Sequence, residues 1–101
     1  MMLLVCFDLP RLTPKEVSDA NRFRKHLINL GFNMKQYSLY EREVRRIETK
    51  NKLIAEIYKK IPETGEITLY ELPDEVNNSQ IVILGDGVFR KAEKNPEMII
   101  L

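Results

Sequence analysis

One carboxylate in this chain stands where chemistry can use it. Asp8 follows the apolar run Met2 to Phe7, at the carboxyl end of a predicted first strand and just before Leu9-Pro10 opens a loop. A carboxylate there is a hard oxygen ligand for Mg²⁺ or Mn²⁺, but such sites typically use one or two carboxylates together with substrate phosphates. A two-fold dimer with Asp8 near its axis would bring the second. The competing reading is a turn former, because Asp is favoured in turns beside Pro. Other chemistry-bearing residues lack partners. His26 has no His, Cys or acid four residues away and reads as a surface or boundary residue. Cys6 and Ser38 have no His placed to activate them, and Gly85-Asp86-Gly87 reads as a turn rather than a phosphate loop.

The second chemical signal is charge. The net charge is +1, yet residues 11–60 hold thirteen basic and six acidic side chains, and residues 61–101 hold three basic and eight acidic. Arg11, Lys15, Arg22, Arg24, Lys25, Lys35, Arg42, Arg45 and Arg46 can contact phosphates, which would make binding strongly salt-dependent. The plainer alternative is two ordinary solvated surfaces. Interleaved aromatic pairs of a base-stacking sheet are missing, so a duplex backbone is the more natural ligand.

These residues need a frame, and 101 residues with 44% apolar and 31% charged side chains allow one single-domain globule, residues 1–101. Disorder and fibrous classes are excluded on composition. The single cysteine excludes a disulfide framework and a Cys-rich zinc site and fits a reducing cell interior. No apolar run approaches the ~20 residues of a membrane span. Met1 to Phe7 lacks a basic leader region and does not read as a signal peptide.

Met2 to Phe7 predicts a central strand buried on both faces. Thr13-Pro14-Lys15-Glu16 predicts a helix start with a capping box, and Gly31 its end. Val17, Ala20, Phe23, Leu27 and Leu30 form the apolar stripe of that helix, with Arg22, Arg24 and Lys25 expected towards solvent. Phe32 to Val44 reads as extended, with a slip of alternation that predicts a bulge, kink or reversal near residues 35–38. A second helix is expected from Thr49 to Lys60, with Leu53, Ile54, Ile57 and Ile61 inward and Pro62 and Gly65 ending it. Further strands are expected at Glu66 to Leu72 and Gln80 to Leu84, before a final apolar run, Met98-Ile99-Ile100-Leu101. The order β-α-β(β)-α-β, with one or two added C-terminal strands, is that of a ferredoxin-like α+β sandwich. An exposed apolar edge invites pairing, so residues from about 79 to 101 are expected on a partner, most simply a second copy. The alternative is that they fill this chain's own sheet edge.

Val5-Cys6-Phe7-Asp8-Leu9-Pro10, then Arg22 to Leu27 running to Gly31-Phe32, then Gln36-Tyr37-Ser38-Leu39-Tyr40 resemble the CRISPR-associated protein 2 family. The resemblance spans the whole chain, and the order and spacing of its motifs carry it. It implies a homodimer whose C-terminal strands, with Met98, Ile99, Ile100 and Leu101, pack on the partner. It also implies bridging of the CRISPR-associated protein 1 integrase during spacer acquisition, with no membrane involved and a prokaryotic cytoplasmic location. Duplex DNA would be held through Arg11, Lys15, Arg22, Arg24, Lys25, Lys35 and Arg42. Family members are described as nucleases for single-stranded RNA or double-stranded DNA that need Mg²⁺ or Mn²⁺. That role would fall on Asp8, paired with Asp8 of the second subunit, as metal ligand and catalytic residue. Phe7 replaces the tyrosine that many members carry, and Pro10-Arg11 replaces a basic pair. Two alternatives stay open: a non-catalytic DNA-binding scaffold, and a ferredoxin-like domain that binds a small-molecule regulator.

Overall fold

The computed structural model describes residues 1–84. Its elements are β1 (Met2–Asp8), α1 (Pro14–Asn29), β2 (Asn33–Gln36), β3 (Leu39–Glu43), α2 (Ile47–Tyr58), β4 (Glu66–Leu72) and α3 (Asp74–Asn78). The four strands form one antiparallel sheet in the order β2-β3-β1-β4. This is the expected α+β class with a single sheet.

Helix α1 starts and stops by local chemistry. Thr13 Oγ1 accepts from the Glu16 N–H at 3.1 Å, while Glu16 Oε1 accepts from the Thr13 N–H at 3.0 Å. These bonds satisfy donors that a helix start leaves open. At the other end Phe32 N–H donates to Leu27 O and Gly31 N–H to Ile28 O, at 3.0 and 2.9 Å. That closure needs a left-handed residue, and Gly31 has φ +88°. The phase slip falls where expected: β2 and β3 form a hairpin through Tyr37-Ser38, with a register shift between Met34 and Gln36.

The core lies between the helices and one face of the sheet. Leu3, Val5 and Phe7 of β1 pack with Phe23 and Leu27 of α1, with Phe32, Tyr40 and Val44, and with Leu53 and Ile57 of α2. Phe7 meets Phe23 edge-on with centroids 5.3 Å apart and stacks on Tyr40 at 5.7 Å.

Several expectations are corrected. β1 is buried on one face, not two: Met2 and Leu4 are half-buried and Cys6 and Asp8 exposed, because both helices lie on the other side, as antiparallel sheets permit. Helix α2 begins at Ile47 rather than Thr49. Ile61 points outward, 48% exposed, because it lies past the helix end. Gln80 to Leu84 is no strand. Pro73 turns the chain into α3, Gln80 Nε2 donates to Asn77 O and Oδ1 at 3.0 Å, and Ile83 and Leu84 are exposed. An apolar run becomes a strand only where it meets backbone partners, and residues 80–84 pair with neither edge of the described sheet. Lys35 on the β2 edge reaches both Glu41 and Gln80, so the segment after β4 crosses from one sheet edge to the other. The turn expected at 85–87 and the run Met98–Leu101 lie outside the described residues.

Candidate functional site

Asp8 closes β1 on the sheet face away from the helices, and its side chain is exposed. On one side it is in register with Glu66 of β4. On the other, Phe7 N–H donates to Ser38 O at 3.1 Å, which ties the end of β1 to the Tyr37-Ser38 turn. Gly65 makes the close approach of β4 feasible. It has φ +110°, and a Cβ there would lie 2.8 Å from Asp8 O and 2.7 Å from Leu9 Cδ2. Among the described residues, no hydrogen bond or ion pair engages the Asp8 carboxylate, and no group of three His, Cys, Asp or Glu can hold a metal ion. An exposed hard-oxygen donor fits a share of a Mg²⁺ or Mn²⁺ site but not a complete one within a single chain. Glu66 is the nearest addition to that donor set. Nothing in the order of residues marks it, because cross-strand register is invisible until the strands are paired.

The basic residues divide into separate groups. Lys15 and Arg22 sit on the outward side of α1 and share Asp19, at 2.9 and 3.6 Å, and the Asp19 hydrogen bond and charge push the Lys15 ammonium pKa up. Lys25, also on α1, is exposed. Lys59 and Lys60, from the end of α2, meet Lys15 and Arg22 across a shallow groove of about 380 Å³ that also holds Glu63. Those two lysines were not picked out from the sequence; helix packing is what brings them to α1. Lys35 lies apart on β2, 3.8 Å from Glu41. Arg42 is half-buried against Gly31. Arg45 and Arg46 pair with Glu43 and Glu48.

Arg24 corrects the expectation most sharply. It is 8% exposed rather than solvent-facing. Its Cζ lies 3.9 Å from the Tyr37 ring centroid and 5.3 Å from that of Phe7. Its Nε donates to Tyr37 O at 3.2 Å and its Nη1 to Asn21 Oδ1 at 3.4 Å. Arg11 stays exposed, with Cζ 5.4 Å from the same Tyr37 centroid. The Asp8 end of the sheet therefore carries two guanidinium groups gathered on one tyrosine. His26 is likewise buried, and its Nε2–H donates to Glu56 O at 2.7 Å, joining α1 to α2.

A recess of about 610 Å³ opens elsewhere, between α2 and β4, lined by Ile54, Ile57, Tyr58, Ile61, Ile67 and Leu69 among others. It lies on the helix side of the sheet, away from the face that Asp8 shares. No helix among the described residues is long and apolar enough to cross a membrane.

Comparison with known proteins places this geometry among relatives. The profile of a family described as "CRISPR associated protein Cas2" matches residues 1–80. A protein of Ligilactobacillus salivarius is 34% identical over 106 aligned positions covering both chains in full, and one of Treponema denticola is 27% identical over the full length of both. A Flavobacterium psychrophilum protein is 37% identical over 74% of this chain and 65% of its own. All three bear the name CRISPR-associated endoribonuclease Cas2. In fold, the chain is similar to the crystal structure of Streptococcus pyogenes Cas2 at pH 6.5. The TM-score is 0.64 at 24% identity, covering 84% of this chain and all of that one.

Proposed function

The chain belongs to the CRISPR-associated Cas2 family, and from that premise we propose that it is a spacer-acquisition subunit and phosphodiesterase working as a ferredoxin-like homodimer. The substrate is single-stranded RNA or double-stranded DNA, the cofactor Mg²⁺ or Mn²⁺, and the setting a prokaryotic cytoplasm. One observation carries this reading: Asp8 stands exposed at the end of the sheet face opposite α1 and α2. Further along that face lie Leu39, Leu4, Tyr70 and Leu72, of which Tyr70 is 54% exposed. An apolar face of that kind suits a second copy packed against it, which would bring two Asp8 carboxylates towards one axis.

In that dimer the two Asp8 side chains hold the divalent ion through hard oxygens. Bound there, Mg²⁺ supplies an activated water and charge stabilisation at the scissile phosphate. The groove of Lys15, Arg22, Lys59 and Lys60 holds a duplex backbone away from the Asp8 face. Residues beyond 79, with Met98 to Leu101, serve the contact with the second copy and with the CRISPR-associated protein 1 integrase.

Asp8→Asn tests the chemistry. Mg²⁺-dependent cleavage of labelled single-stranded RNA and duplex DNA should fall by at least about 10²-fold, with the dimer intact by light scattering. Cleavage at the wild-type rate would leave Asp8 a structural residue and favour the second reading, a non-catalytic scaffold. That reading has its own support in the single Asp8 donor per chain and in Phe7, which offers no hydroxyl beside it. Pulldown of the integrase with duplex DNA, comparing wild type with a deletion of residues 98–101, tests the bridging role: undiminished capture by the deletion would remove that segment from the contact.

A further inference from the structure

Tyr37 is an aromatic ring held in place yet left open. Its carbonyl accepts from Arg24 Nε at 3.2 Å, the Arg24 guanidinium carbon lies 3.9 Å from its centroid, and the next carbonyl, of Ser38, accepts from Phe7 N–H at 3.1 Å. The residue nevertheless stays 56% exposed. An aromatic side chain already immobilised loses little conformational freedom when a planar group stacks on it.

Charge and position say what that group is. Neither Arg11 nor Arg24 has a carboxylate partner among the described residues. Both gather on the same ring, and Arg24 is buried. Two cations without an acid partner leave a positive local potential, which suits a phosphate beside the ring. The Phe7–Ser38 bond ties the turn that carries Tyr37 to the end of β1 that carries Asp8. A strand whose phosphodiester reaches Asp8 thus has, at the same end of the sheet, a π face flanked by guanidinium groups.

We infer that Tyr37 is a stacking platform for an unpaired nucleobase, with Arg11 holding a neighbouring phosphate and Arg24 acting as the positioning residue that locks the ring. The inference rests on Asp8 being a nucleic-acid site and narrows its ligand. An intact duplex has its base faces already stacked, whereas a single strand or a frayed end has a face to offer. The duplex groove on α1 and α2 and the Tyr37 platform then take different parts of one nucleic acid.

The test is fluorescence of single-stranded DNA and RNA oligonucleotides carrying one 2-aminopurine, titrated with the full chain in the presence of a chelator. Binding should quench the base, and Tyr37→Phe should retain the quenching. Tyr37→Leu should abolish it and weaken single-strand affinity about tenfold, leaving the affinity for a blunt duplex unchanged. Quenching with only one of the two sugars also supports the platform and names its ligand. Binding of the single strand without quenching overturns it, as does an equal loss of duplex affinity in Tyr37→Leu. If Tyr37→Leu does not fold, quenching by wild type and Tyr37→Phe still decides. Binding of duplex but not single strand sinks this inference alone; binding of neither sinks the nucleic-acid reading of Asp8 with it.

Discussion

Leu3 and Val5 are fully buried and Phe7 is 4% exposed, all beneath the helices. Met2, Leu4, Cys6 and Asp8 alternate with them along the same strand and face the other way, half-buried to exposed. Seven consecutive residues thus serve two ends. The helix-side set anchors a core of ten buried side chains, whereas the opposite set carries the one carboxylate that invites chemistry. The difference separates what the fold needs from what a partner or substrate needs, and substitutions on the two faces should behave differently.

The largest effect belongs to the covered face. Phe23→Ala removes a fully buried ring that meets Phe7 edge-on and should destabilise by about 3–5 kcal/mol in urea unfolding. A change close to zero would mean that the two faces do not differ in kind. Gly65→Ala comes next and acts where the faces meet. At φ +110°, with a new Cβ 2.8 Å from Asp8 O, it should cost about 1–3 kcal/mol. It should also lower any activity that depends on Asp8; full activity would detach Gly65 from the site. Leu4→Glu, on the uncovered face, should change the stability of the chain by no more than about 1 kcal/mol. It should also halve the particle mass seen by light scattering; an unchanged mass would show that copies do not meet there.

The smallest effect sits on the helix surface, remote from both faces. Lys59 beside Glu56 holds that carboxyl below its usual 4.5. A depressed folded-state pKa contributes stability above the unfolded value that is lost as pH falls through the folded one. Lys59→Ala should therefore slightly lower stability at neutral pH, flatten its fall below about pH 4.5 and leave the strongly acid limit untouched. Its readout is the urea midpoint followed against pH.

Local chemistry was legible in the sequence, and pairing was not. Thr13, Pro14, Glu16 and Gly31 act within a few residues of themselves, so the bounds of α1 could be read directly. The same holds for the slip near Lys35 and for the stop of β4 before Pro73. Asp8 was legible as a strand-end carboxylate, but its neighbour Glu66 depends on which strands pair. The burial of Arg24 had a signal that hydropathy concealed. Winding at about 100° per residue places it between Val17 and Leu27, inside the apolar stripe, and only its charge argued otherwise. Once Tyr37 folds over it, the guanidinium is covered by rings rather than water. Gln80 to Leu84 misled for the opposite reason, since apolar content announces a need for cover without naming the cover.

Cys6 occupies the middle of the uncovered face, exposed and reduced. That placement gives the protein a built-in footprinting probe. Because there is only one thiol in the chain, the rate at which a maleimide labels it reports directly on how often this face is open to solvent. Followed against protein concentration, or against added nucleic acid, the labelling rate separates occupancy of this face from events on the helix side without altering a single residue.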